Sequence, residues 1–407
     1  MFWRGRLASI LVLMLVLLLG GCSKSPAKKP ASSPPAIGFS VATMETDVNK
    51  IIRKYVTQRA RKDRIRVVWL DARMNPEEQR KQVEKLIKNK VKTAVIHFVN
   101  PGQAGEIVRL LQEKGIKIVA LHSLPDNVPL DGFVAADAYR AGQLQAEFIT
   151  QQYKKGAQKG DIILLLRGNP EDYITLQMTA GFKEVIEDFP QLQVVTRDYK
   201  DWDPTLARQD LEQYLSQQGS KVGAVVGQTS QLALAAVDVL EKLGMADKVV
   251  TLGAGADKPA IQAIAEGKHD GEIDPMPEML ASVVYQASLD LTSKQHWDYD
   301  FQGTNGVYDV PSKIIPVRMI TENNVYLVEQ RAGPLEKREK TGSSASQSGS
   351  GSQEKGKGSG GTKTKLKIKT REGKTLEIEI EGKVEKLEIE ESKPQEKSQQ
   401  GGDKQGQ

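Results

Sequence analysis

From Ile37 onward, short apolar runs rich in Val and Ile alternate with segments in which apolar residues return at helical spacing. The first kind reads as buried strand and the second as amphipathic helix, so their alternation predicts βαβ units around a parallel sheet. Strands are expected at 37–42, 66–69, 93–98, 117–121 and 133–136, with helices at 48–62, 76–88 and 102–113 between them. Pro76 suits a first helical turn, and Gly115 suits the cap that ends the third helix. The pattern then restarts. Helices at 140–153, 175–187, 204–217, 231–243 and 259–266 interleave with strands at 161–166, 193–197, 222–226, 249–252 and 271–274. Two successive runs of this kind predict an α/β protein of two doubly wound parallel-sheet lobes. A helix at 277–293 and two strands, at 314–320 and 325–329, remain; returning to the first lobe and bridging both, they would make several crossovers at a hinge. That layout assigns 36–134 with 276–312 to an N-terminal lobe and 135–275 with 313–333 to a C-terminal lobe.

Both ends of the chain break the pattern. Arg4 and Arg6 precede the apolar run Leu7–Leu19, which is followed by Gly20-Gly21-Cys22. A basic end, an apolar stretch too short to span a bilayer and a small-residue cleavage site describe an export signal at 1–21. Its last residues look like the lipobox of bacterial lipoproteins, which would make Cys22 the acylated amino terminus. Cys22 is the chain's only cysteine, so no disulfide is expected and stability must come from the core. Residues 22–35, rich in Ser, Pro, Lys and Ala, read as a tether from the bilayer.

Beyond Gly333 the composition turns to Ser, Gly, Lys and Gln, and 334–361 is expected to be a disordered linker. In 362–391 apolar residues alternate with Lys and then with Glu around Glu372-Gly373, the pattern of a small β hairpin with opposite charges paired across it. A charged tail with only transient strands fits the same composition. Residues 392–407 return to a disordered tail.

Charge and chemistry narrow the function. The 57 basic and 52 acidic side chains are mixed along the chain, leaving a net charge of +5 with no basic face, so nucleic acid is not an expected partner. The four histidines lack metal-ligand spacing, no Ser sits in a Gly-x-Ser-x-Gly elbow, and Gly253-Ala-Gly-Ala-Asp257 reads as a tight strand-to-helix turn rather than a phosphate loop. The expectation is a non-enzyme without cofactor or metal.

Ile37-Gly-Phe-Ser-Val-Ala-Thr43, Gly115-Ile-Lys-Ile-Val-Ala120, Gly142-Gln-Leu-Gln-Ala146, Gly168-Asn-Pro170 and Gly253-Ala-Gly-Ala-Asp257 occur in order and at characteristic spacing. The series resembles the sugar-binding proteins of bacterial ABC transporters, and the xylose-binding proteins among them, over about residues 36–330. The resemblance implies the type I periplasmic-binding fold, with a ligand closed between two lobes, and an ABC permease as partner. It also implies a ligand set that this chain has replaced. Glu45 and Val48 stand where the family carries a lysine and an arginine, and His122-Ser123 where it has Asp-Arg. Tyr173-Ile174 replace an asparagine pair, Thr179 an arginine, Gln228-Thr229 an Asn-Asp pair and Gly255 an aspartate. Asp274 or Pro275 falls at the family's late lysine. Trp202 and Asp137 are retained. Recognition of a pentose needs a convergent set of charged forks and amides, so loss of those donors predicts a ligand other than xylose.

The candidate ligand residues are therefore Glu45, Asp47, His122, Asp137, Tyr173, Trp202, Gln228, Thr229 and Asp274. Each has an ordinary alternative as a solvated rim or lobe-edge residue. With Glu45, Asp47, Asp137, Asp201 and Asp274 aimed at one cleft, a cationic or metal-like ligand also fits. The reading is a lipid-anchored, extracytoplasmic solute-binding lipoprotein holding a small polar ligand for an ABC permease. A sensory or interaction module facing a membrane sensor is the alternative. A repressor of the same fold would need a DNA-reading helix-turn-helix where this chain has its export signal.

Overall fold

The computed structural model describes residues 36–156, 160–218, 221–293, 296–336, 363–369 and 375–381. The expected export signal, Cys22 and its tether, all but the first three residues of the linker expected at 334–361, and the tail at 392–407 lie outside the described residues.

The first lobe is built on a seven-stranded sheet. Its strands are β1 (Ala36–Val41), β2 (Arg66–Asp71), β3 (Thr93–Ile96), β4 (Lys117–Leu121), β5 (Gly132–Ala136), β11 (Phe301–Asn305) and β12 (Tyr308–Ile315), in the order β11-β12-β5-β4-β3-β1-β2. Alternate residues along each strand bury on opposite faces. Ala94, Ile96, Ile118, Ala120 and Phe133 pack beneath α2 (Pro76–Lys88) and α3 (Ala104–Gln112). Their neighbours Val95, Val119, Leu121 and Val134, with Ile37 and Phe39, pack beneath α1 (Asp47–Asp63) and α9 (Pro277–Ser293). Helices on both faces leave the strands no wet side, which is why they read as near-continuous apolar runs.

The second lobe repeats the design with six strands. They are β6 (Ile162–Arg167), β7 (Gln193–Asp198), β8 (Val222–Gly227), β9 (Val250–Ala254), β10 (Gly271–Asp274) and β13 (Arg318–Ile320), in the order β13-β10-β9-β8-β6-β7. Leu164, Leu166 and Val225 pack beneath α6 (Pro204–Gln218) and α7 (Ser230–Lys242), and Ile163, Leu165, Ala224 and Val226 beneath α4 (Ala138–Lys154) and α5 (Tyr173–Ile186). Each fully buried aliphatic side chain contributes about 1.5–3 kcal/mol on transfer from water, which holds each lobe around its own sheet.

The chain passes between the sheets from β5 into α4, from β10 into α9 and from β12 into β13. The last passage corrects the single strand expected at 314–320. Pro316 has no N–H to continue the ladder, so Ile315 ends β12 in one sheet and Arg318 begins β13 in the other. The strand expected at 325–329 is instead part of α10 (Tyr326–Ala332). Val325, Val328 and Ala332 recur at helical spacing, and they pack on Ile264 and on Ile261 of α8 (Lys258–Ala265). The exposed edge strand β11 was not foreseen, because Gln302, Gly303 and Thr304 carry no apolar alternation.

A separate unit carries β14 (Lys363–Lys369) and β15 (Thr375–Glu381), which pair antiparallel with Lys363 opposite Glu381, Lys365 opposite Glu379 and Lys367 opposite Glu377. The turn expected between them and the residues after 381 lie outside the described residues.

Candidate functional site

In both sheets the parallel strands end on the same crevice, where open α/β sheets bind their ligands. Between the lobes lies a cavity of about 420 Å³. Its walls come from the residues that follow the strands: Thr43 after β1, His97 to Val99 after β3, His122 after β4 and Asp137 after β5, faced by Asn169, Trp202, Thr229 and Gly255 of the second lobe.

Helix starts complete the walls. Thr46, Asp137, Asp172, Thr229 and Asp257 occupy the N-cap positions of α1, α4, α5, α7 and α8, and all five line the cavity. Asp137 accepts the Arg140 N–H at 2.8 Å, and its own N–H donates to the Ile315 carbonyl at 2.9 Å. The backbone of Asp137 therefore ties the first crossover to the last, while its carboxylate caps α4. Asp172 accepts the Ile174 N–H at 2.9 Å, and burial holds its carboxyl above the usual range.

Two histidines form one side. The His97 and His122 rings meet edge to face with centroids 4.9 Å apart. Burial pushes the His97 pKa down to about 4, and burial with the neighbouring His97 does the same to His122, so both rings are neutral at neutral pH. The tautomer of His122 follows from its neighbours. The Asn49 side chain donates through Nδ2 to the Thr43 carbonyl at 2.8 Å, which turns Oδ1 toward His122 Nε2 at 3.1 Å. An amide oxygen only accepts, so Nε2 carries the proton and Nδ1 is bare. His122 keeps a left-handed φ of 68°, a conformation that disfavours a side chain by about 1–2 kcal/mol.

Trp202 faces this wall, also with a left-handed φ, of 60°. It is seated by a missing side chain: a Cβ on Gly168 would come within 2.2 Å of Trp202 Cε2. Phe98, Met74, Met178, Ile174 and Ile273 are the larger side chains of the remaining apolar lining.

Of the nine residues expected at the ligand, Glu45, His122, Asp137, Trp202 and Thr229 line the cavity. The other four are placed elsewhere. Asp47 lies beside the cavity and joins the lobes: its N–H donates to Asp257 Oδ1 at 3.0 Å, and its Oδ2 accepts the Lys258 N–H at 2.8 Å. Tyr173, at the start of α5, crosses to the first lobe and meets Phe133 edge to face at 5.4 Å. Gln228 is buried inside the second lobe, donating to Thr179 Oγ1 at 3.0 Å. Asp274 is fully buried between Arg318 at 2.9 Å and Arg331 at 2.6 Å, where its charge is already matched.

Sequence reasoning missed Asn49, His97, Asp172 and Asp257, which line the cavity. Asp172 and Asp257 carried a usable signal, since each stands directly before a helix as an N-cap does. Asp257 is the most perturbed carboxyl of the wall. Burial, with the charges of Glu272 and Asp47, raises its pKa to about 6, while it accepts from Asp47 N–H and from Gln231 Nε2 at 2.6 Å. Among the described residues no three of His, Cys, Asp and Glu come together as a metal ion would require. No described helix is long and apolar enough to cross a membrane.

Comparison with known proteins agrees with this architecture. The profile of the periplasmic binding protein domain matches residues 37–296. The ribose import binding protein of Bacillus subtilis is 25% identical over 289 residues, 70% of this chain and 92% of its own length. The D-xylose-binding periplasmic protein of Escherichia coli is 25% identical over 293 residues, 71% of this chain and 87% of its own. A solved carbohydrate transporter solute binding protein from Chloroflexus aurantiacus, in complex with D-glucose, superposes with a TM-score of 0.67 at 18% identity, covering 74% of this chain and 96% of that one. At that identity the likeness is one of fold.

Proposed function

The chain belongs to the periplasmic binding protein family, and we propose that it is a lipid-anchored, extracytoplasmic solute-binding protein that closes its lobes over a small polar ligand and presents it to an ABC permease. The observation that carries this reading is the 420 Å³ cavity between two sets of strand ends, lined from both lobes and flanked by the Asp47 to Asp257 contact. A ligand touching both walls favours the closed arrangement by its differential affinity, which is the work such a protein does.

The ligand is a sugar or sugar derivative other than xylose. Relatives named for ribose and xylose, and a fold relative holding D-glucose, support the class. The exclusion of xylose is supported by the wall itself, in which no Lys or Arg stands. The anchor is Cys22, for which the apolar run and small residues before it are the support.

Calorimetry on the full-length chain in mild detergent, against pentoses, hexoses and inositols, tests the ligand class. Micromolar binding of a member other than xylose is expected, and equally tight xylose binding overturns the specificity. Labelling with a palmitate analogue tests the anchor; label persisting in Cys22→Ser overturns it.

A further inference from the structure

The cavity is acidic in a way that a neutral sugar does not call for. Glu45, Asp137, Asp172, Asp201 and Asp257 stand in its wall, and neither Lys nor Arg does. The two histidines bring no charge, because burial keeps them neutral. Five helix N-termini face the same space, and at roughly half a positive charge each they offset about half of the carboxylate charge. The remainder is negative.

Hydrogen bonding points the same way. A sugar hydroxyl both donates and accepts, so its site must offer donors. The nitrogen donors of this wall are largely engaged within the protein. Asn49 Nδ2 serves the Thr43 carbonyl, Gln231 Nε2 serves Asp257 Oδ2, and His122 Nε2–H serves Asn49 Oδ1. The Asn169 amide and the Trp202 indole N–H are left to meet a ligand, against the carboxylates of five residues, so acceptors outnumber donors. A second observation, independent of the carboxylates, is His97: it belongs to the wall, its ring is neutral, and its Nδ1 is buried with no hydrogen-bond partner. In the Nε2–H tautomer of His97 that nitrogen accepts, and a group rich in N–H would then satisfy both it and the carboxylates. Phe98 and Trp202 belong to the same wall, and aromatic rings are compatible with a cation.

We propose that the ligand of this cavity is a small organic cation whose ammonium group is received by the carboxylates of the wall, an inference that rests on the reading of the cavity as a solute site. An organic ammonium fits better than a metal ion. The carboxylates are spread around the wall, and among the described residues no three converge on one point. An ammonium can be met by one or two carboxylates and an imidazole nitrogen, whereas a hard metal ion takes six or more oxygens together.

The test is calorimetry on the full-length chain in mild detergent with matched pairs: glucosamine and glucose, galactosamine and galactose, mannosamine and mannose, with putrescine as a sugar-free ammonium. At least one amino sugar is expected to bind tenfold or more tighter than its neutral partner, with the margin narrowing as salt rises. Asp201→Asn is the variant of choice, because Asp201 is exposed and its φ of 55° is one that Asn tolerates, so the fold is retained. The margin is expected to shrink several-fold in that variant. A neutral sugar binding as tightly as its amino partner overturns the charge inference and leaves the solute-binding reading standing. Putrescine binding without any sugar supports the charge inference and overturns the sugar class. Absence of binding by every compound overturns both.

Discussion

Asp47 and Asp257 belong to different lobes, yet the backbone N–H of the first donates to Oδ1 of the second at 3.0 Å. The Asp47 carboxylate returns the contact by accepting the Lys258 N–H at 2.8 Å, and it also holds Lys50 at 3.2 Å. Asp47 thus stands at the start of α1 and serves the start of α8, so one residue binds the openings of two helices across the cleft. Replacing it by Ala removes the part made by its side chain. Asp47→Ala is expected to weaken ligand binding by about two- to thirty-fold, since a lost cap contact costs about 0.5–2 kcal/mol and falls on the closed state. Solution scattering is expected to show a more open ligand-free form. Unchanged affinity and scattering would mean that the contact does not govern closure.

The partner in that contact titrates. The Asp257 carboxyl is raised from an ordinary 3.8 to about 6, so the folded protein takes up a proton there that the unfolded chain does not. Its contribution to stability is therefore complete below pH 3.8 and is lost as pH rises through 6. The difference is about 3 kcal/mol at 1.36 kcal/mol for each pH unit. Asp257→Asn cannot titrate, so its Tm is expected to gain on the wild type as pH goes from 4 to 6.5. Parallel Tm curves over that range would remove Asp257 as the source.

His97 and His122 carry the opposite sign. Their folded pKa values lie below the ordinary 6.5, so the stability from keeping them neutral is present above 6.5 and is lost as pH falls toward the folded values, about 4 for His97. Nitrogen-15 spectra of the imidazoles at pH 6 are expected to show both rings neutral, with His122 as the Nε2–H tautomer. Two protonated nitrogens on either ring at that pH contradict the enclosed arrangement.

Asp274 is expected to matter for folding rather than for ligand. Asp274→Ala leaves Arg331, itself only 12% exposed, without its 2.6 Å partner, and frees Arg318 as well. Breaking a buried pair of this kind costs about 3–5 kcal/mol. Urea titration measures it; a loss under about 1 kcal/mol would falsify the assignment of Asp274 as a buried anchor beside the crossover.

Gly168 controls the seat of Trp202. In Gly168→Ala the new methyl group falls within 2.2 Å of the indole, which must move because overpacking of this sort costs about 1–3 kcal/mol. Loss of ligand affinity with a shift of tryptophan fluorescence is expected. A variant that keeps both would show that the indole adapts in place.

The lobes were legible in the chain because each strand is sandwiched between helices and must be apolar throughout, while each helix must be apolar on one stripe. Residues such as Ile163 to Leu166, alternating between two buried faces, announce their strand whatever surrounds them. The segment 325–329 was misread because five residues hold too little pattern to separate a strand from a helical turn. Its packing against Ile261 and Ile264 decided the matter.

The cavity was half legible. Glu45, His122, Asp137, Trp202 and Thr229 follow strands in sequence, and the sheets carry them to the crevice by topology alone. Local pattern could not say which way a side chain turns after the strand ends. Asp274 and Gln228 follow the same rule of position, but Arg318 and Arg331 claim the one and Thr179 the other. Those partners lie 44, 57 and 49 residues away in the chain. The sequence by itself determined the two-lobed architecture, because periodicity is local and every element reports its own burial. Only the tertiary structure decided which carboxylates face the ligand space and which are already paired, because that depends on charges brought together by folding.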